Sequence, residues 1–253
     1  MSDRLETTDD AFLGGRLLLR QPVNGHRAGL DAVLLAAAVQ HEGAARALDA
    51  GAGAGIVTLA LATRLPAVEV VGVEIESALV ALAEENARRN ELAGRVQFVH
   101  GDVTAPAAEL AAHGVVPAGF DIVVSNPPFL EDGTSKASPL PLQARASSMP
   151  AASLERWARF YAAMARPDGR LYLVHRADRL RDLIDALDGR FGALEVLPLH
   201  PKAGASASRI ILRGRKGSRA PMQLRPGLVL HGAEGAFEPA IERVLRGPEA
   251  LSW

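Results

Sequence analysis

Four consecutive residues, Asn126-Pro127-Pro128-Phe129, bring together groups able to hold and activate a planar amine. Two prolines fix φ and remove two backbone donors, leaving carbonyls of set direction beside an Asn whose amide oxygen accepts a hydrogen bond. An amino nitrogen conjugated to a ring or a carbonyl is a poor nucleophile, because its lone pair is delocalised. Two acceptors, the Asn126 side-chain oxygen and the Pro127 carbonyl, can hold both N–H groups and turn the lone pair toward an electrophile. The gain is orientation and electrostatics. Phe129 adds a face for stacking, worth about 1–3 kcal/mol for a nucleobase. Asn and Pro also build ordinary turns, and for Asn-Pro alone the turn reading would win.

A second cluster precedes it. Leu48-Asp49-Ala50-Gly51-Ala52-Gly53-Ala54-Gly55 follows an apolar strand and opens a helix, the place where an α/β sheet receives a nucleotide-like ligand. The spacing departs from a dinucleotide fingerprint: three residues after Gly53 stands Ile56, and the third glycine, Gly55, comes after one intervening residue. The carboxylate of Asp49 would repel a pyrophosphate and suits a cationic ligand. S-adenosylmethionine carries an ammonium and a sulfonium. Glu74 ends the next strand about 20 residues past the glycines, where a carboxylate can accept from both ribose hydroxyls. Asp102, in Val99-His100-Gly101-Asp102, is placed to meet an adenine amino group. Either acid alone reads as an ordinary acid at a strand end.

The elements that must position these groups alternate. An apolar strand from Ala44 into Asp49, a helix over Ile56–Leu65 and a strand Glu69–Glu74 form a βαβ unit. A helix Ala78–Asn90, a strand Val96–His100, a helix near Pro106–His113 and a strand Phe120–Ser125 continue it, which predicts a parallel sheet covered on both faces. Glu131–Pro150 reads as a long loop suited to a substrate lid. Beyond it come a helix Leu154–Ala165, a turn at Pro167-Asp168-Gly169, a strand Arg170–His175, a helix Arg179–Leu187, strands near Glu195–Leu199 and Ser208–Arg213, a short strand at Leu228-Val229-Leu230 and a helix Pro239–Leu245. Trp157 in the first of these helices reads as core. Ahead of the alternation, Phe12 to Leu19 with Gly14-Gly15 reads as a hairpin, and Asp31 as the N-cap of a buried helix. No linker or repeat divides the chain, so residues 1–43 read as an N-terminal extension and 44–253 as one catalytic domain.

Composition narrows the setting. The 253 residues are 48% hydrophobic, ample for a packed core. With no cysteine, disulfides, thiolate zinc sites and cysteine nucleophiles are excluded, which fits a reducing cytoplasm, and the seven histidines show no ligand-like pairing. The start has no secretory pattern and no apolar stretch is long enough to span a bilayer, so a cytoplasmic protein that meets neither metal nor membrane is expected. A net charge of −1 gives no global field for a polyanion, so a nucleic-acid contact must be local. Arg209, Arg213, Arg215, Lys216 and Arg219, with no acid between them, suit phosphates and equally a solvated strand and turn.

Taken in order, Asp49 with its glycines, Glu74 and Asp102 resemble the class I S-adenosylmethionine-dependent methyltransferases, and Asn126-Pro127-Pro128-Phe129 is similar to the (Asn/Asp/Ser)-Pro-Pro-aromatic motif of amino-methyltransferases. The resemblance implies an α/β, Rossmann-like fold with a seven-stranded, mostly parallel sheet and helices on both faces, after a small N-terminal hairpin and helix. It makes Asn126, Pro127, Pro128 and Phe129 the catalytic loop, with Asp31, Asp49, Gly51, Gly53, Gly55, Glu74, Asp102 and Asn126 around the cofactor. Adding Gly29-Leu30-Asp31-Ala32-Val33-Leu34-Leu35-Ala36, Val73-Glu74-Ile75-Glu76 and Gln143-Ala144-Arg145, the pattern from about Asp10 to Gly247 is similar to the tRNA(Val) adenine-N6 methyltransferases, which modify the adenine beside the anticodon. That implies a tRNA partner, Asp31 closing over the cofactor, and Arg145 with Arg209, Arg213, Arg215 and Lys216 as RNA contacts. The motif also serves guanine N2 and glutamine N5, although glutamine methyltransferases resemble longer chains and guanine-N2 enzymes carry a duplicated domain. A non-catalytic S-adenosylmethionine- or RNA-binding module is the contrasting reading, opposed by the intact Asp49, Glu74, Asp102 and Asn126. Oligomeric state is not encoded in any of these motifs.

Overall fold

The protein is seen in a computed structural model that describes residues 5–24, 27, 29–40, 43–106, 108–128, 151–247 and 249–253. Phe129, Arg145 and the stretch expected to form a lid lie outside the described residues.

An antiparallel hairpin comes first, β1 (Thr7–Phe12) with β2 (Leu17–Pro22), followed by α1 (Leu30–Ala38). The alternation then runs β3 (Arg46–Ala50), α2 (Ile56–Arg64), β4 (Glu69–Glu74), α3 (Ser77–Arg89), β5 (Val96–His100), α4 (Ala108–Ala111) and β6 (Phe120–Ser125). After the undescribed stretch come α5 (Ala151–Met164), β7 (Ala165–Arg176), α6 (Leu180–Leu187), β8 (Phe191–Lys202), β9 (Arg209–Lys216), β10 (Gln223–Leu224), β11 (Leu228–His231) and α7 (Pro239–Arg246).

The main sheet has the order β5-β4-β3-β6-β7-β9-β8-β10, with β11 also on β8, nine strands in all. Strand β9 runs antiparallel to β7 and β8, and the remaining pairings are parallel. This is the expected class I methyltransferase sheet of seven strands, widened at one edge by β10 and β11. Periodicity could not announce β10: a two-residue strand has no period, and the edge of β8 supplies its pairing. At Pro167-Asp168-Gly169 the expected turn is instead a bulge inside β7. The register with β6 jumps from Phe120↔Ala165 to Ile122↔Arg170, and Asp168 takes φ +62°.

Alternate residues of the strands feed two cores. Tyr172 and Val174 of β7 face α1, α2 and the hairpin, while Leu171 and Leu173 face α5 and α6. Burial on both faces explains why these strands read as continuous apolar runs. Leu13, Leu17 and Leu19 of the hairpin, at most 1% exposed, share the first core with α1 and α2. Two C-terminal contacts close α1 from outside: Trp253 Nε1 donates to Ala38 O at 3.0 Å and Leu251 N to Ala37 O at 2.8 Å. No helix among the described residues is long and apolar enough to cross a membrane.

Candidate active site

The chain lays β3, β4 and β5 outward in one direction, then returns to place β6 on the other side of β3. That reversal opens a crevice beyond the carboxyl ends of β3 and β6, where open α/β sheets bind ligands. Parallel register sends four sequence-predicted residues to this one edge: Ala50 is level with both Val73 and Ser125, and Glu74 with His100. Asp49, Glu74, Asp102 and Asn126 therefore close successive strands side by side.

The glycine loop is fastened to β4. The N–H groups of Gly51 and Ala52 both donate to Val73 O, at 2.9 and 3.0 Å. Gly51 has φ +79°, and a Cβ on it would come within 2.8 Å of the Trp157 ring. Gly55, with φ +94°, begins α2, and its Cβ would meet the Phe98 ring at 2.8 Å. At these two positions both backbone and space require glycine. Trp157 is core, as expected, and also forms the floor of the loop.

Asp49 is 1% exposed. Its Oδ2 accepts from the Thr58 amide at 3.0 Å and the Thr58 hydroxyl at 2.7 Å, whereas its Oδ1 is buried without a donor among the described residues. Burial, opposed by the two Thr58 hydrogen bonds and reinforced by the nearby Glu74 carboxylate, pushes the Asp49 carboxyl up to about 7. A cation beside Oδ1 would relieve that cost. Glu74, 8% exposed, accepts from the Gly53 amide at 2.8 Å on one oxygen and from the Glu76 amide at 2.9 Å on the other. Each oxygen keeps a lone-pair direction for a hydroxyl. Asp102 Oδ1 accepts from the amide and hydroxyl of Thr104, both at 2.7 Å, which orients the carboxylate for its other oxygen to meet an amino group.

Asn126 follows β6, whose end is tied to β3 by the Ser125 hydroxyl donating to Ala50 O at 2.7 Å. The Asn126 Oδ1 is buried and has no donor among the described residues. An unsatisfied buried acceptor costs about 1–3 kcal/mol, so two of them at one edge, on Asn126 and Asp49, mark where a ligand supplies donors or positive charge. The residues present thus fit S-adenosylmethionine: Asp49 for its cationic end, Glu74 for the ribose, Asp102 for the base.

Asp31 does not cap α1. Gly29 holds the N-cap position and no side chain caps it, while Asp31 lies in the first turn and accepts from Arg209 Nε at 2.9 Å. The cap reading failed because the helix already begins at Leu30, which leaves Asp31 inside the first turn.

The basic run is not one patch. Side chains of Arg209, Arg213 and Arg215 share a face of β9, but the strand rises about 3.3 Å per residue, so Arg209 and Arg215 sit about 20 Å apart. Arg209 is at the edge carrying Asn126, and Arg215 and Lys216 are at the opposite edge. Each also has a partner. Arg213 pairs with Glu195 at 2.7 Å and lies 4.4 Å over the Trp253 ring, Arg215 pairs with Asp168 at 2.8 Å, and Lys216 Nζ donates to Ala165 O at 2.6 Å. Thr58, 0% exposed, was missed from sequence, although a lone Thr in the apolar run Ile56-Val57-Thr58-Leu59-Ala60 signals a polar contact.

Comparisons with known proteins give the family. The family model of the methyltransferase small domain matches residues 27–145. A tRNA1(Val) (adenine(37)-N6)-methyltransferase of Enterobacter sp. (strain 638) is 32% identical over 74% of this chain and 81% of its own length. The protein of that name from Porphyromonas gingivalis (strain ATCC 33277) is 28% identical over 93% of each chain. Among solved structures, a predicted O-methyltransferase of Agrobacterium tumefaciens superposes with a TM-score of 0.73 at 29% identity, covering 88% of this chain and 98% of its own. With the class I sheet, the acid-led glycine loop and the Asn-Pro-Pro segment in their places, the chain belongs to the tRNA1(Val) (adenine(37)-N6)-methyltransferase family and takes its methyl group from S-adenosylmethionine.

Proposed function

We propose that this enzyme methylates the exocyclic N6 of an adenine in tRNA, with adenine 37 of tRNA(Val) as the first substrate to try. The observation that carries the reading is the buried Asn126 Oδ1, which lacks a donor among the described residues and sits one strand from the Asp49 loop. Family membership supplies the choice of adenine over other amino groups, since Asn126-Pro127-Pro128 alone suits any of them.

Bound S-adenosylmethionine supplies a methyl on a positively charged sulfur. The chain's part is to bring an amine lone pair into line with it. Asn126 Oδ1 accepts one N–H of the base, the Pro127 carbonyl accepts the other, and Phe129 stacks on the ring. Held this way, the nitrogen is less conjugated with the ring and its lone pair is localised on it, aimed at the methyl. The nitrogen becomes acidic once it carries the methyl, so its proton passes to water without a dedicated base. A hydroxyl acceptor, the chemistry named for the Agrobacterium protein, would lose its proton earlier, and Asn126 cannot take one.

Phosphate contacts belong at the edge that holds Asn126. Of the basic run, Arg209 is there, although it too is paired, with Asp31; Arg145 remains a candidate, and Arg213, Arg215 and Lys216 are the weaker ones because they lie farther along β9 from that edge. Incubating unmodified tRNA with methyl-labelled cofactor and digesting to nucleosides tests the reading: the expected product is N6-methyladenosine, foremost from tRNA(Val). Label on protein glutamine and none on RNA would overturn it.

A further inference from the structure

The N-terminal hairpin is held to α3 by two asparagines one helical turn apart. Asn90 accepts from the Leu18 amide at 2.9 Å and donates to the Leu18 carbonyl at 2.8 Å. Asn86 accepts from the Arg20 amide at 2.8 Å and donates to the Arg20 carbonyl at 2.9 Å. Each carboxamide thus pairs with the strand as a backbone amide would. Asn86 is 0% exposed and does one thing more: its Nδ2 also donates to Ala54 O at 3.0 Å, inside the glycine loop.

Asparagine is a poor helix former, so Asn86 inside α3 suggests that contacts outside the helix hold it there, whereas Asn90 stands at the C-cap. All of the Asn86 amide's donors and its acceptor are engaged between the hairpin and the loop. Ala54 lies between Gly53, whose amide binds Glu74, and Gly55, which starts α2. Its carbonyl direction therefore sets the peptide planes on which the cofactor would rest. The hairpin leads through residues 23–29 into α1 and Asp31.

The geometry points to Asn86 as a positioning residue for the cofactor, acting through its hydrogen bond to the Ala54 carbonyl of the glycine loop. Asn90 docks the same hairpin without touching the loop, which gives an internal control. The inference rests on the cofactor site and not on the choice of acceptor, so its measurement is made without RNA.

Asn86→Asp and Asn90→Ala would each be melted thermally and titrated calorimetrically with S-adenosylhomocysteine at a temperature where both are folded. Asn86→Asp keeps the acceptor facing the Arg20 amide but opposes Ala54 O and Arg20 O with an oxygen. The expected result is a loss of thermal stability in both variants, an affinity about tenfold weaker in Asn86→Asp and within about twofold of the parent in Asn90→Ala. In the transfer assay, Asn86→Asp raises KM for S-adenosylmethionine and leaves kcat at saturation near the parent value. If Asn86→Asp does not fold, the smaller uncharged Asn86→Ser gives the same reading. Unchanged affinity at position 86, or affinity falling in step with melting temperature in both variants, would overturn the proposal. A parent protein that binds S-adenosylhomocysteine yet methylates no RNA would defeat only the acceptor assignment.

Discussion

The two edges of the main sheet carry acids in opposite condition. At the edge where β3 begins, Asp121 accepts from the amides of Ala45 and Arg46 at 2.7 and 2.8 Å and pairs with Arg166. Partial burial pushes its carboxyl upward, but the Arg46 and Ala45 amides and then Arg166 outweigh that and hold it below the usual carboxylate range. At the edge where β3 ends, Asp49 has one buried oxygen without a donor and is pushed up to about 7, with Asn126 Oδ1 similarly unmatched nearby. One edge is finished by the protein itself. The other is completed by what binds, and the stability given up there is the binding energy held in reserve.

The largest test of this contrast is Asn126→Ala. Removing an acceptor matched only by the substrate should lower kcat by about 10²–10³-fold, the size seen when one preorganised polar group is lost from an active site. S-adenosylhomocysteine affinity should stay within about twofold and the melting temperature should fall little, because the Asn126 Oδ1 accepts no hydrogen bond from the described residues. A variant that melts early would mean Asn126 is structural.

The next test exchanges the acids. Asp121→Asn should lower stability by about 1–3 kcal/mol, since two amides and Arg166 lose their carboxylate, with cofactor affinity unchanged. With the folded pKa below its unfolded value, the Asp121 contribution is present above the unfolded pKa and lost as pH falls through the folded one. Asp49 has the opposite sign: its folded pKa of about 7 lies above 3.8, so ionising it removes stability as pH rises between those values. A cationic ligand prefers the ionised form. S-adenosylmethionine affinity should therefore drop on going below pH 7, approaching a tenfold loss per unit, and Asp49→Asn should flatten that slope. A flat profile in the parent would show that Asp49 is ionised before the ligand arrives.

The smallest effects concern the basic run. Arg209→Ala should weaken tRNA binding by about 1 kcal/mol at low salt, whereas Arg215→Ala should change it by less than about twofold. Equal losses would put RNA on both edges and break the contrast.

What the sequence disclosed follows from the same geometry. Parallel strands place consecutive strand ends on one edge, so Asp49, Glu74, Asp102 and Asn126 could be gathered from order alone. Arg209, Arg213 and Arg215 could not, because their counter-charges Asp31, Glu195 and Asp168 come from remote stretches and a strand's length divides a run that looks continuous on paper. Asp31 was misread as a cap because the N-cap is Gly29, which has no side chain to signal it. Asn86 and Asn90 fit a polar helix face by pattern, and only packing shows which backbone they meet.

Those two asparagines have a consequence for solubility. A two-stranded ribbon exposes unpaired amides and carbonyls along its outer edges, a template on which a neighbouring chain can add a strand. On β2 the outward groups of Leu18 and Arg20 are already taken by Asn86 and Asn90. The helix thus serves as a selvedge for the ribbon, and loosening it would expose a place where molecules can stick together.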